Sequence, residues 1–177
     1  MLTLRKGQRG SCSYTVRTER TTLVLTVKGG ASATTTVQGA RAQSDWVRAA
    51  LRLLNRGTPR ATLNATLDAV RRGAIARGPA RATIRTQVLD VREAQIADLP
   101  DLGPAPVGLE DAERLLRRSL VLSAKADRAY IAWLGGEPAE LARGITHSIL
   151  ASSAKGSLVA AMQGHGVEVP PATVTWP

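Results

Sequence analysis

The stretch SDWVRAALRLLNRG, residues 44–57, carries the clearest helix pattern in the chain. Within it, Val47, Ala50, Leu51 and Leu54 recur at helical spacing and form one apolar stripe. Ser44 or Asp45 can cap the start of the helix, and Gly57 can end it. We therefore predict an amphipathic helix here, and the other elements are placed before and after it.

The residues before this helix have a β pattern. Residues 12–16 alternate in polarity, residues 23–27 are rich in β-branched side chains, and residues 34–37 are rich in threonine. The segment 18–21 suits a hairpin turn between the first two runs. Three or four antiparallel strands are therefore expected at the start of the fold.

After residue 57, strand and helix patterns alternate. The predicted strands are residues 61–67, 82–91 and 129–134, and the predicted helices are residues 68–76, residues 109–124 and a segment that begins at Pro138. The predicted class is α+β: N-terminal antiparallel β-strands followed by alternating helices and strands, in a mixed sheet packed by about three helices.

Two short segments resemble each other. Asp45-Trp46-Val47-Arg48 and Asp111-Ala112-Glu113-Arg114 each open a predicted helix, and each is followed four residues later by another arginine, Arg52 or Arg118. One interpretation is a duplicated α-β-α unit. The other is coincidence, because alanine, leucine and arginine are common in this chain.

Residues 98–108 contain three prolines, which disfavour helix and remove hydrogen-bond donors from a sheet. We interpret this segment as a linker. It separates a basic, β-rich, nucleic-acid-binding part, residues 1–97, from a slightly acidic α/β part, residues 109–177. We expect the two parts to pack together as one compact unit.

The positive charge is concentrated in the first half of the chain. The net charge is +10, but residues 1–89 contain 16 Lys and Arg against 3 acids, whereas residues 90–177 contain 8 against 11. Like charges at this density repel one another, so a polyanionic partner is the simplest explanation. Nucleic acid is the predicted partner, with DNA favoured over RNA.

The candidate contacts are basic residues and one aromatic residue. Arg48, Arg52 and Arg56 recur every four residues and form a predicted ridge on the first helix. Tyr14 is the candidate for base stacking, and Trp46 is an alternative, although a tryptophan that opens a helix is more often part of the core. The other predicted contacts are Arg5, Lys6, Arg9, Arg17, Arg41, Arg71, Arg72, Arg77, Arg81 and Arg85. The competing interpretation is a solvated basic face that only keeps the protein in solution.

The sequence lacks the patterns of a catalytic site. A metal-dependent nuclease needs clustered carboxylates, and the basic half has three acids in all. Cys12, His147 and His165 each stand apart from any partner at metal-ligand or catalytic spacing, and no phosphate-binding glycine loop is present. We predict no catalytic residue, no metal and no cofactor.

The segment Trp133-Leu134-Gly135-Gly136-Glu137-Pro138, followed by Glu140-Leu141-Ala142-Arg143, resembles the last strand and helix of the ribonuclease H-like fold. The first strand of this chain lacks the aspartate that this family uses in catalysis. The resemblance therefore implies a catalytically silent domain.

The leading hypothesis is a non-enzymatic protein that contacts the phosphate backbone of single-stranded or structured DNA, in DNA maintenance or repair. An alternative is a structural or assembly protein, such as a phage particle component, that forms a homo-oligomer through its Thr-rich edge strands. No apolar run of about 18 residues and no signal-peptide core is present, so we expect a cytoplasmic protein with no membrane partner.

Overall fold

A computed structural model describes residues 12–18, 21–27 and 38–163 of the chain. The chain divides after Ala40 into two compact units. Helices account for most of the described residues. The predicted α+β class is therefore wrong, because no mixed sheet runs through the described part of the molecule and the segments predicted to supply its later strands are helical.

The first unit contains a β-hairpin. Strand β1, Cys12–Thr18, pairs antiparallel with β2, Thr21–Val27, in a register that places Cys12 opposite Val27 and Thr18 opposite Thr21. These strands coincide with the predicted runs 12–16 and 23–27. The third predicted run, residues 34–37, and the turn residues Glu19 and Arg20 lie outside the described residues.

The helices follow the hairpin in chain order. They are α1 (Gln38–Leu54), α2 (Pro59–Arg71), α3 (Arg77–Thr83), a π-helical segment (Ile84–Leu89), α4 (Asp90–Ala97), a 3₁₀ turn (Leu99–Leu102), α5 (Glu110–Leu134) and α6 (Ala139–Gln163). The segments from α3 to α4 are contiguous. None of the described helices is both long enough and apolar enough to cross a lipid bilayer.

The predicted strand 61–67 is part of α2. Its threonines favour a strand, but Leu63, Leu67 and Val70 stand at i, i+4 and i+7, which is a helical spacing. Pro59 occupies the start of α2, where its missing N–H costs no helical hydrogen bond. The local preference of the threonines is therefore outweighed by the burial of one helical face.

The predicted strands 82–91 and 129–134 are helical for the same reason. Ala80, Ile84 and Val88 are fully buried and recur every four residues along α3 and the π-helical segment. In α5, Tyr130 and Leu134 continue the same spacing. An apolar run of six residues does not distinguish a buried strand from part of a long buried helix.

These helices also overturn two structural interpretations. The duplicated α-β-α unit is wrong because both intervening segments are helical. The resemblance to the ribonuclease H-like fold fails because residues 129–134 belong to α5. The shared Asp-x-x-Arg pattern has a local explanation: Asp45 pairs with Arg48 at 2.8 Å, and Asp111 pairs with Arg114 at 2.7 Å.

Helix α5 passes through two apolar clusters. Its first half packs with α1 and the end of α6, in a cluster that includes Val47, Leu116 and Leu158. Its second half packs with α2 and the α3–π segment, in a cluster that includes Ile84 and Tyr130. At 1.5 Å per residue, the 25 residues of α5 span about 37 Å. The second compact unit, which begins at Arg41, is called the helical unit below, and its two ends are well separated along this helix.

The segment 98–108 contributes to the first of these clusters. Leu99, in the 3₁₀ turn, is 5% exposed and packs with the side chains of α1 and α5. Just before it, the buried Gln95 amide of α4 donates hydrogen bonds to the carbonyl oxygens of Leu53, Leu54 and Arg56, at 2.9, 3.2 and 3.2 Å. No N–H group of α1 itself bonds the carbonyls of Leu53 and Leu54, the last two residues of the helix, although Leu53 O also accepts from the Arg56 N–H at 3.2 Å just beyond it. Gln95 therefore acts as a C-cap supplied by another element.

Candidate nucleic-acid interface

Four arginines surround the connection between α2 and α3. Arg71 and Arg72 end α2, while Arg77 and Arg81 lie one turn apart on α3, and all four side chains are exposed. We call this group the basic end. The chain reverses here at Gly73, whose φ of +70° is accessible to glycine at little cost. All four residues were predicted contacts, but their convergence depends on this turn.

The basic end extends to the last turn of α5. The Arg77 guanidinium carbon lies 5.4 Å from the centre of the Trp133 ring, which is a cation–π contact. A Cβ placed on Gly135 would lie 3.5 Å from the guanidinium carbon of Arg81. The α3 arginines therefore lie against the C-terminal end of α5, where the helix dipole favours positive charge.

Trp133 was not a predicted contact. It lies within residues 129–134, which were predicted to form a strand, between the apolar neighbours Ala132 and Leu134. The structure leaves its side chain half-buried, with one part packed on the second apolar cluster and Arg77 over the ring. No local sequence signal pairs Trp133 with Arg77, because 56 positions separate them.

A cavity of about 720 Å³ opens beside Trp133. Apolar side chains form most of its wall, and Asp68, Arg71 and Arg77 supply charge. The lining residues are Leu67, Asp68, Val70, Arg71, Gly73, Ile75, Ala76, Arg77, Trp133 and Leu141. Its volume lies within the range of roughly 300–1,000 Å³ that is common for small-molecule sites. An apolar wall with guanidinium groups beside it suits a ligand that combines a flat ring with negative charge.

Most nearby carboxylates have arginine partners. Asp68 lies 3.3 Å from Arg71, and Glu140 lies 2.6 Å from Arg143. Glu137, in the turn between α5 and α6, is exposed. Arg72 and Arg81 have no carboxylate within 4.0 Å among the residues that the structure describes. The basic end therefore retains uncompensated positive charge.

The predicted ridge on α1 is different. Arg48 pairs with Asp45 at 2.8 Å, and Arg56 pairs with Asp98. Arg52 is exposed and, within residues 38–163, has no carboxylate at ion-pair distance. Only one of the three cations in the ridge is thus uncompensated. A fourth predicted contact, Arg85, lies 3.9 Å from Asp90.

The structure separates the predicted contacts into two sets. Arg48 and Arg52 of the ridge belong to α1, which packs near Leu116, and Arg56 lies just beyond the end of this helix. The basic end lies at Trp133 and Gly135. The 17 residues from Leu116 to Trp133 correspond to about 26 Å along α5. The two sets therefore lie at different positions along α5.

The remaining predicted contacts fall outside what the structure shows of side chains. Arg5, Lys6 and Arg9 lie outside the described residues. Tyr14 and Arg17 lie on β1 and Arg41 lies on α1, and only the backbone is described at these three positions.

Trp46 is 5% exposed within the first apolar cluster, so its ring is not available for stacking.

A buried ionic cluster lies elsewhere in the helical unit. Arg92 of α4 and Asp127 of α5 are 3% and 1% exposed, and Arg92 Nε lies 3.5 Å from Asp127 Oδ2. The two atoms are within ion-pair distance, but neither makes a hydrogen bond of good geometry within the described part of the chain. Both side chains occupy positions that an amphipathic helix normally gives to apolar residues. That mismatch was the sequence signal that could have revealed them.

The ionisation of this cluster reflects its burial. Burial raises the pKa of Asp127 to about 6, although the positive charges of Arg92, Lys155 and Arg60 oppose the increase. Burial lowers the pKa of Lys155 to about 8, and repulsion from Arg92 and Arg60 adds to the decrease. Burial likewise lowers the pKa of Arg92. The carboxylate of Asp127 therefore interacts electrostatically with three cations, Arg92, Lys155 and Arg60.

The residues that the structure describes contain no group of three or more His, Cys, Asp or Glu that could hold a metal ion. Comparison of the chain with protein-family models, with curated proteins and with solved structures finds no match. The arrangement of this chain's own residues is therefore the basis for inferring its function.

Proposed function

We propose that this protein binds nucleic acid through its basic end, without catalysing a reaction on it. The observation that carries the proposal is the convergence of Arg71, Arg72, Arg77 and Arg81 at one end of the helical unit. Exposed arginines that lack acidic partners attract a polyanion and release its counterions on binding.

Arg72 and Arg81 are the proposed principal phosphate contacts. Both are exposed and have no carboxylate within 4.0 Å among the described residues. The guanidinium group offers several N–H donors in a planar fork, which fits two oxygens of one phosphate. Phosphate contacts of this kind position a strand without reading its sequence. DNA is the proposed partner, in DNA maintenance or repair.

Fluorescence anisotropy with labelled single-stranded and duplex oligonucleotides, at several salt concentrations, tests the proposal. The decisive comparison is between Arg72→Ala/Arg81→Ala and the matched variant Arg48→Ala/Arg52→Ala, since each removes two positive charges. Log K falls linearly with the logarithm of the salt concentration. Each lost phosphate contact reduces the magnitude of this slope by about 0.9 for duplex and about 0.7 for single strands.

In Arg72→Ala/Arg81→Ala, we expect the magnitude of the slope to decrease by the equivalent of about two phosphate contacts. In Arg48→Ala/Arg52→Ala, we expect the slope to change little. Equal losses in the two variants would show a diffuse response to net charge and would contradict a site at the basic end. Absence of salt-sensitive binding to every oligonucleotide would contradict the function itself.

A further inference from the structure

We propose that the cavity beside Trp133 accepts one unpaired base of a single strand, so that the protein prefers single-stranded nucleic acid over duplex. This inference rests on the proposed function, because the phosphates of the same strand bind at the basic end. The cavity places an aromatic ring and two guanidinium groups around one space. Trp133 and the arginines can therefore hold adjacent parts of one nucleotide chain.

The contact between Arg77 and Trp133 indicates how a base is held. A guanidinium group is planar, and here it covers the ring from 5.4 Å, a loose contact. A base is a larger flat group and stacks more closely on an aromatic ring. A base that takes this place releases Arg77, which is exposed and free to turn toward a phosphate.

The charges around the cavity orient the nucleotide. The carboxylate of Asp68 lines the cavity and lies 3.3 Å from Arg71. A carboxylate repels a phosphate but accepts hydrogen bonds from the amino group of a base. The base edge therefore faces Asp68, and the phosphates lie toward Arg72 and Arg81, which have no such acid within 4.0 Å in the described part of the chain.

The cavity also distinguishes a single strand from the two nearest alternatives. In a duplex, each base is paired and stacked, so entry requires the base to leave the helix, which costs free energy. A free mononucleotide has a base for the cavity but only one phosphate, whereas a strand offers several phosphates to Arg72 and Arg81. A single strand satisfies both the cavity and the arginines without this cost.

The test compares four probes in one buffer: a single strand of deoxyadenosines, an abasic strand of equal length, the corresponding duplex, and adenosine monophosphate. Stacking of one base on an aromatic ring corresponds to about a 5- to 140-fold gain in affinity. We expect the abasic strand to bind the wild-type protein that much more weakly than the base-containing strand. The duplex is expected to bind more weakly than the single strand.

Two variants assign the effect to Trp133. Trp133→Leu removes the ring, so its affinity for the single strand is expected to fall to the level of the abasic strand, while affinity for the abasic strand is unchanged. Trp133→Phe keeps a ring and is expected to retain most of the affinity. The single strand is expected to quench tryptophan emission in the wild-type protein but not in Trp133→Phe, where Trp46 and Trp176 remain. Trp176→Phe is the control that keeps the quenching.

Several outcomes would overturn the inference. Equal affinity for the abasic and base-containing strands would show that no base enters, and equal affinity for single strand and duplex would remove the preference. Binding of adenosine monophosphate as tight as that of the strand would assign the cavity to free nucleotides. In each case, salt-sensitive binding that still depends on Arg72 and Arg81 would leave the proposed function intact. If Trp133→Leu fails to fold, two measurements still test the inference: the loss of quenching in Trp133→Phe, and the comparison of the abasic strand with the base-containing strand.

Discussion

Arg92 Nε lies 3.5 Å from Asp127 Oδ2 in the interior of the helical unit, with both side chains at most 3% exposed. A buried ion pair gains little net stability, because removing two charges from water offsets most of their attraction. The loss of one partner is far more costly, because it leaves the other charge buried and unpaired.

Replacement of Asp127 by leucine is expected to destabilise the protein by about 3–5 kcal/mol, because Arg92 remains buried without its carboxylate. Urea unfolding followed by circular dichroism measures this change. The double variant Arg92→Met/Asp127→Leu is expected to be much closer to wild type, since no unpaired charge is left at either position. A double variant as unstable as the sum of the single variants would contradict this account of the pair.

The stability of the fold is expected to depend on pH through Lys155. The lowered pKa of Lys155, about 8 against 10.5, means that the unfolded state binds the proton more tightly between these two pH values. Stability therefore rises as pH increases from about 8 toward 10.5.

The contribution of Lys155 is expected to be absent below about pH 8 and complete near pH 10.5. Urea midpoints measured from pH 4 to pH 10.5 test this in the wild-type protein and in Lys155→Met. The variant is expected to lose the alkaline increase, since it has no ammonium group at this position. An unchanged alkaline limb in Lys155→Met would show that another group is responsible.

Gly144 allows α6 to approach α5. A Cβ at this position would lie 2.8 and 2.9 Å from two atoms of the Tyr130 ring, which is itself 6% exposed. Gly144→Ala is therefore expected to destabilise the fold by about 1–3 kcal/mol, as overpacking of a core does. Gly78→Ala on α3 is the matched control, because its Cβ would meet nothing within 4 Å. The control is expected to gain up to about 1 kcal/mol from helix propensity, and a similar gain in Gly144→Ala would contradict the close approach.

Gln95 holds the end of α1 through its amide. Gln95→Met keeps the length of the side chain but leaves the carbonyls of Leu53 and Leu54 without this donor, at an expected cost of about 1–3 kcal/mol. Thermal unfolding measures the loss. Gln87→Met, at an exposed position, is the control and is expected to change stability by no more than about 0.5 kcal/mol. Equal effects in the two variants would argue against a capping role.

The helical patterns with clear periodicity were predictable from the sequence. The stripe Val47, Ala50, Leu51 and Leu54 is buried, as the spacing indicated, and α5 covers the predicted helix 109–124 from residue 110 onward. The predicted end at residue 124 was wrong, because α5 continues to Leu134. Helix α6 runs through Ser152, Ser153 and Gly156 to Gln163. Burial against a partner helix overcomes the weak helix propensity of serine and glycine.

The three false strands share one physical origin. Residues 61–67 and 82–91 contain threonines that favour extended backbone locally, and residues 129–134 form a short apolar run that fits either structure. Their partners in the folded state are distant in sequence, such as Leu63 and Ile84 beside Tyr130. A single sequence contains no direct record of these contacts, so local preference led to the wrong fold class.

The candidate site was predictable only in part. Its arginines were identifiable from the charge distribution, but charge alone could not show that Asp45 and Asp98 neutralise two cations of the α1 ridge. The charge distribution also could not show that Trp133 contacts Arg77, which is 56 positions away in the sequence. Ion pairs and long-range contacts depend on the tertiary fold. They are the reason why the candidate site is assigned to the α2–α3 connection and not to α1.

The single carboxylate at the buried ionic cluster also limits how the sequence can change over time. A neutral residue at position 127 alone would leave Arg92 uncompensated, and an apolar residue at position 92 alone would leave Asp127 without its nearest cation. Most core positions tolerate hydrophobic exchange one at a time, but these two do not. Related sequences are therefore expected to keep Arg92 and Asp127 together or to replace them together, so that the two positions covary.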